Sequence, residues 1–184
     1  MKITSWARRA TSRAAILAWA LSGGFACQKV GGPPAEAPPG LSTADPHGPV
    51  AFAFDSLDER PVGSEATRGK PTLLAFVTTA NLACQAQLDF LIAMAQNDAD
   101  RVNYAAVALE PREGRELVEL YRKALAIPFP VAMADAQTLA GAGPFGDLAT
   151  VPVTILLDRL GRVVWRTEGR VAKSHELRGA MRGL

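Results

Sequence analysis

Two short runs, Thr72-Leu-Leu-Ala-Phe-Val-Thr78 and Asn103-Tyr-Ala-Ala-Val-Ala-Leu109, are almost wholly apolar. Each has the length of a strand, and neither shows the alternation of a strand with one wet face. Such runs belong to strands buried on both sides, in a sheet packed between other elements. Between them, Cys84, Leu88, Leu91, Ile92 and Ala95 recur at helical spacing and form one face of an amphipathic helix. Asn81 stands just ahead of that helix, where an N-cap side chain accepts a backbone N–H. Strand, helix and strand in this order predict a parallel pair joined by a helical crossover.

The rest of the domain extends the pattern. Val50-Ala-Phe-Ala-Phe54 alternates and predicts a strand, followed by a turn at Asp58–Pro61. Residues 115–125 predict a helix with Leu117, Leu120, Tyr121 and Ala124 on its inner face. A short strand at 131–134 and a weak helix at 136–141 come next. Val151–Leu157 and Arg162–Thr167 flank Asp158-Arg-Leu-Gly161 as a β-hairpin. A last helix starts at Ser174, with Leu177, Ala180, Met181 and Leu184 on one face. The class is therefore α/β, with a parallel core and an antiparallel edge.

The formal net charge of +2 divides unevenly. Lys2, Arg8, Arg9 and Arg13 face no acidic residue in positions 1–26, and the remainder holds more acidic than basic residues. A nearly neutral body excludes nucleic-acid binding through a basic surface. The basic start is followed by the apolar stretch Ala14–Leu21 and small residues before Cys27. That stretch is shorter than the roughly 20 residues needed to span a bilayer and has the form of an export signal. Ser22-Gly-Gly-Phe-Ala-Cys27 resembles the lipobox of bacterial lipoproteins, with Gly24 where Leu is usual. The resemblance implies a lipidated Cys27 as membrane anchor on the periplasmic side, and Gln28 in the next position favours the outer membrane. Ordinary cleavage after Gly24-Phe-Ala26, giving soluble periplasmic export, is the alternative. Residues 27–49 are rich in Pro and Gly and form a flexible tether that cannot fold alone. The folded domain is 50–184.

Three segments carry a further resemblance. Gly69-Lys-Pro71 leads into Phe76-Val-Thr-Thr-Ala-Asn-Leu-Ala-Cys-Gln-Ala-Gln-Leu88; Phe129-Pro130 precedes a strand; Val151-Pro-Val-Thr-Ile-Leu-Leu-Asp-Arg-Leu-Gly161 closes the set. Together they resemble the thioredoxin-like superfamily, in its TlpA/ResA and AhpC/TSA (redoxin) branches. This implies a thioredoxin-like α/β fold, a mixed central sheet flanked by helices, here with an N-terminal extension. Pro152 falls on the family's cis-proline, and Val151 would offer its backbone to an extended peptide.

Family oxidoreductases carry C-x-x-C at the start of the first helix. There the exposed N–H groups and helix dipole activate the first thiol, and the second resolves the mixed disulfide. This chain has Asn81-Leu82-Ala83-Cys84. Asn81 cannot attack a disulfide, and Cys84 matches the resolving position on an apolar helix face. The implied protein is a binding or accessory module of the envelope, with Asn81, Leu82, Ala83, Val151 and Pro152 as its groove. A single-thiol oxidoreductase or peroxiredoxin-like enzyme working through Cys84 is the alternative, since redoxins place their peroxidatic cysteine at this register in T-x-x-C. No metal and no cofactor are expected: the two cysteines lack zinc spacing, and Cys84 with His175 does not complete a copper-chaperone set. Two charged stretches read as solvated surface. One runs from Glu110 to Glu119 with i, i+3 pairing; the other gathers seven basic residues from Arg159 to Arg182.

Overall fold

The structure is a computed structural model that describes residues 48–184; the export signal, Cys27 and all of the tether except its last two residues lie outside them. The elements are β1 (Ala53–Ser56), β2 (Val62–Gly63), α1 (Ser64–Thr67), β3 (Thr72–Val77), α2 (Leu82–Asp98), β4 (Asn103–Ala108), α3 (Arg115–Ala124), β5 (Val131–Met133), α4 (Ala136–Leu139), β6 (Val153–Leu157), β7 (Val163–Glu168) and α5 (Ser174–Ala180). They build one seven-stranded sheet in the order β2-β1-β5-β4-β3-β6-β7. β3, β4 and β5 run parallel, while β1, β6 and β7 pair antiparallel with their neighbours. The expected mixed sheet with a parallel core and an antiparallel terminal hairpin is present. No helix among the described residues is long and apolar enough to cross a membrane.

β3 lies between β4 and β6, and every residue in it is buried. Side chains alternate across a strand, so Leu73, Ala75 and Val77 join one apolar layer and Leu74 and Phe76 the other. The first layer is closed by α2 through Cys84, Leu88, Leu91 and Met94, with Val118 and Leu177 beside them. The second is closed mainly by aromatic rings. Phe145 approaches Phe52 and Phe76 at centroid distances of 5.2 Å, and Phe54 meets Phe76 edge-on at 5.9 Å.

Three polar contacts hold α2 in place. At its start the Asn81 side chain accepts the Ala83 N–H at 2.8 Å. In its middle the fully buried Gln87 pairs with the backbone of Ala172: Oε1 accepts that N–H at 2.6 Å and Nε2 donates to that carbonyl at 3.4 Å. At its end Asp98 accepts the Tyr104 hydroxyl at 2.5 Å. Burial, then this bond to the carboxylate, pushes the Tyr104 phenol well above its ordinary range.

Two expectations need correction. The first strand is Ala53–Ser56 rather than 50–54, although Phe52 and Phe54 are the buried members of the alternation as expected. The inner face of α3 is also different: Leu117 and Leu120 are exposed, Ala124 is exposed, and Val118 is the buried residue, with Tyr121 and Leu125 packed partly behind it. Packing of Val118 against the core fixes this rotation, and charged contacts on the same stripe accompany it. Arg115 reaches Asp55 at 2.8 Å and the Ser56 carbonyl at 2.9 Å, and Arg122, one heptad on, stands 3.7 Å from Asp58. That stripe faces the β1–β2 segment, with Val118 and Leu125 turned inward and the two leucines out. The helix's acidic and basic side chains pair at i, i+4, through Glu119 with Arg115 and Lys123, rather than at i, i+3.

Candidate functional site

The C-terminal ends of β3 and β4, the start of α2 and the residues before β6 meet at one pole of the sheet. The register explains this. Phe76 pairs with Val153, so Val151 and Pro152 run on beside Val77 and Thr78. Val77 pairs in parallel with Ala108, so Thr79 and Glu110 lie side by side two residues further on. The Val151–Pro152 peptide bond is cis.

Asn81 has an extended backbone and closes the helix start. Its side chain takes the Ala83 N–H, and its carbonyl accepts the N–H groups of Cys84 at 3.0 Å and Gln85 at 3.2 Å. The Ala83 and Cys84 bonds satisfy two of the four donors that a helix leaves open at its N-terminus, and the Gln85 bond is the first regular bond of the helix. Leu82 follows with 82% of its surface exposed. Ala83 is half-buried, and Cys84 turns inward and is fully buried.

The Cys84 sulfur accepts the Thr78 N–H at 3.4 Å, and the Thr78 hydroxyl stands 4.0 Å away. Burial is the largest influence on the thiol and raises its pKa. The Thr78 N–H and hydroxyl work the other way, and the Glu110 charge raises it further. The thiol is therefore protonated at neutral pH and enclosed by core residues, the opposite of an activated thiolate.

Sequence reasoning missed Glu110 as part of this pole. Its carboxylate accepts both the N–H of Thr79 at 2.9 Å and its hydroxyl at 2.8 Å, fixing the turn between β3 and α2. It precedes α3 and so does not belong to the solvated helix face on which it was placed. The available signal was its place just past a parallel strand, where polar residues of neighbouring strand ends converge.

Thr78 and Val151 border a cleft of about 530 Å³, together with Leu109, Leu139 and Leu148. Its far wall is the loop before β6, which Arg166 holds by donating to the carbonyls of Phe145 and Asp147. Of the groove residues named from the sequence, Val151 lines this cleft. Pro152 is buried, with its carbonyl accepting the Gly169 N–H at 3.0 Å. Asn81, Leu82 and Ala83 form the helix start nearby rather than the cleft wall. His175 is exposed on α5. Among the described residues no cluster of three metal-ligating side chains occurs.

No protein-family profile matches the chain. No curated protein matches it either. Solved structures do. A DsbF homologue from Corynebacterium diphtheriae superposes with a TM-score of 0.63 at 19% identity, over 74% of this chain and 86% of that one. A thio-disulfide isomerase from Thermus thermophilus gives 0.58 at 27% identity, over 74% and 94%. A secreted disulfide oxidoreductase from Mycobacterium tuberculosis gives 0.58 at 18% identity, over 73% and 96%. The fold is thioredoxin-like. Its structural neighbours are thiol-disulfide oxidoreductases of that superfamily, as the sequence motifs implied.

Proposed function

We propose that this chain is an exported thioredoxin-fold protein of the bacterial envelope that has no working dithiol. In this reading the pole around Asn81–Cys84 and Val151–Pro152 binds an extended segment of another envelope protein. The observation that carries the reading is Asn81, which stands where the resemblance places the attacking thiol and uses its side chain as a helix cap. The burial of Cys84 supports it, because no second thiol lies among the described residues to exchange with. The exposed Leu82 and the half-buried Val151 offer apolar contacts beside a cleft, as recognition of an extended segment requires. Export follows from residues 1–26 and membrane attachment from a lipidated Cys27, with the outer membrane as destination. The secreted neighbour from Mycobacterium tuberculosis supports export alone, not the lipid anchor.

Insulin reduction by the full chain tests the chemistry. The natural chain should not raise the rate above that of the reductant alone, and Asn81→Cys should, because it rebuilds C-x-x-C on an intact helix start. A natural chain that does accelerate the reaction, with the rate lost in Cys84→Ser, would replace this reading with the single-thiol enzyme. Binding is tested by a photo-crosslinking residue at position 82 in cells. One envelope protein should be captured, and Val151→Glu should abolish the adduct. Diffuse labelling indifferent to Val151 would remove the groove from the proposal.

A further inference from the structure

The other pole of the sheet carries a feature that the proposed groove does not use. The turn before β3, the turn after α2, the β6–β7 turn and the end of α5 surround a pocket of about 690 Å³. Five cationic residues line it: Lys70, Arg101, Arg159, Arg178 and Arg182. In the sequence they are scattered over more than a hundred positions, and three of them belong to the basic stretch read as plain surface. The fold gathers them.

Their partners are few. Among the described residues, Lys70, Arg178 and Arg182 pair with no carboxylate. Arg101 touches Asp100 only at 4.0 Å, and Arg159 donates to the Leu184 carbonyl at 2.9 Å. Asp98 is the one acidic residue in the lining; it is buried and already accepts the Tyr104 hydroxyl. Complementing helix ends does not use up this charge. The C-termini of α2 and α5 supply about half a negative charge each. With Asp98 and a full negative charge allotted to Leu184, the five cations still leave a surplus of roughly two positive charges.

We infer that this pocket binds a phosphate group. One phosphate monoester or two singly charged diester headgroups match the surplus, and guanidinium forks match phosphate oxygens in geometry as well as charge. Val102, Met181 and Leu184 add an apolar part to the lining, suited to the carbon skeleton that bears the phosphate. The phosphate could belong to a soluble molecule or to a phospholipid headgroup, and the experiment separates the two.

Calorimetry of the full chain with inorganic pyrophosphate is the first arm. Co-sedimentation with 3:1 phosphatidylcholine–phosphatidylglycerol vesicles is the second. Arg178→Gln/Arg182→Gln, both exposed in the folded chain, removes two pocket charges. Arg112→Gln/Lys123→Gln removes two from the α3 region as a control. An unchanged melting midpoint certifies folding of each variant. Residues 1–26 are common to all the chains, so differences report the pocket.

Saturable pyrophosphate binding that weakens at least about tenfold in the pocket variant, but less than about twofold in the control, establishes the site. If vesicle binding is unchanged by the pocket variant, the source is a soluble phosphate. Vesicle binding lost in the pocket variant and kept in the control, with or without pyrophosphate binding, assigns a headgroup. The inference fails if neither arm depends on Arg178 and Arg182, or if the control loses as much as the pocket variant.

Discussion

The two ends of β3 differ in how their polar groups are partnered. At the Val77 end Asn81, Glu110 and the Cys84 sulfur each already hold a backbone N–H of the chain itself. At the Thr72 end five cations gather round one buried carboxylate that is already hydrogen-bonded. A group matched internally has little to offer a charged ligand, because a new partner must displace an old one. Under the two proposals above, the first end would read shape and apolar contact and the second would read charge. The fold places both on one sheet, separated by the length of a six-residue strand of about 20 Å.

The strongest way to break the comparison is through the core that both ends share. Leu88 is fully buried under the middle of α2, and Leu88→Ala should destabilise the domain by about 2–5 kcal/mol in urea unfolding. A value below 1 kcal/mol would mean that the two poles are not braced by one core. Next is Tyr104→Phe, which removes the hydroxyl from the buried Asp98. It should cost about 1–3 kcal/mol through the orphaned acceptor. At the opposite pole Asn81→Ala removes a cap beside solvent and should cost about 1 kcal/mol, while Asn81→Asp should retain most of it. A larger loss for Asn81→Ala than for Tyr104→Phe would reverse the order that burial sets.

The smallest effect is a pH dependence. The folded Cys84 pKa is raised, so the native state holds its proton more tightly than the unfolded chain does. The stability this contributes is complete below the ordinary thiol pKa of about 8.5 and is lost as pH rises through the folded value. Cys84→Ala should lack that part of the alkaline decline in a denaturant titration across pH. In the same range a thiol reagent should modify native Cys84 far more slowly than the unfolded chain. Fast labelling below pH 7 that disappears in Cys84→Ser would show an activated thiolate instead.

The parts of this molecule legible in the sequence were those with local period. β3, α2 and the terminal hairpin follow from runs and spacings within about twenty residues, and the Asn81 cap from a single residue type in place. The rotation of α3 was not legible, because Leu117–Leu120–Ala124 and Val118–Tyr121–Leu125 are both acceptable apolar stripes. The choice falls to the core that Val118 meets, and the accompanying ion pairs reach Asp55 and Asp58 some sixty residues away. Glu110 against Thr79, Gln87 against Ala172 and the ring of five cations are likewise long-range meetings. Local spacing does not reveal these meetings, which strand order creates; for Glu110 alone its place just past a predicted parallel strand was a signal.

The attachment of α2 at three places has a consequence for how such a site changes over time. Its position is set by the Gln87–Ala172 pair, the Asp98–Tyr104 bond and the apolar layer beneath, as well as by its first residue. Position 81 is thus a socket whose occupant can be exchanged while the helix stays where it is. The placement of the helix start therefore does not depend on the Asn81 side chain alone. If the proposed reading holds, one exchange at position 81 is the whole distance between a binding module and a dithiol enzyme.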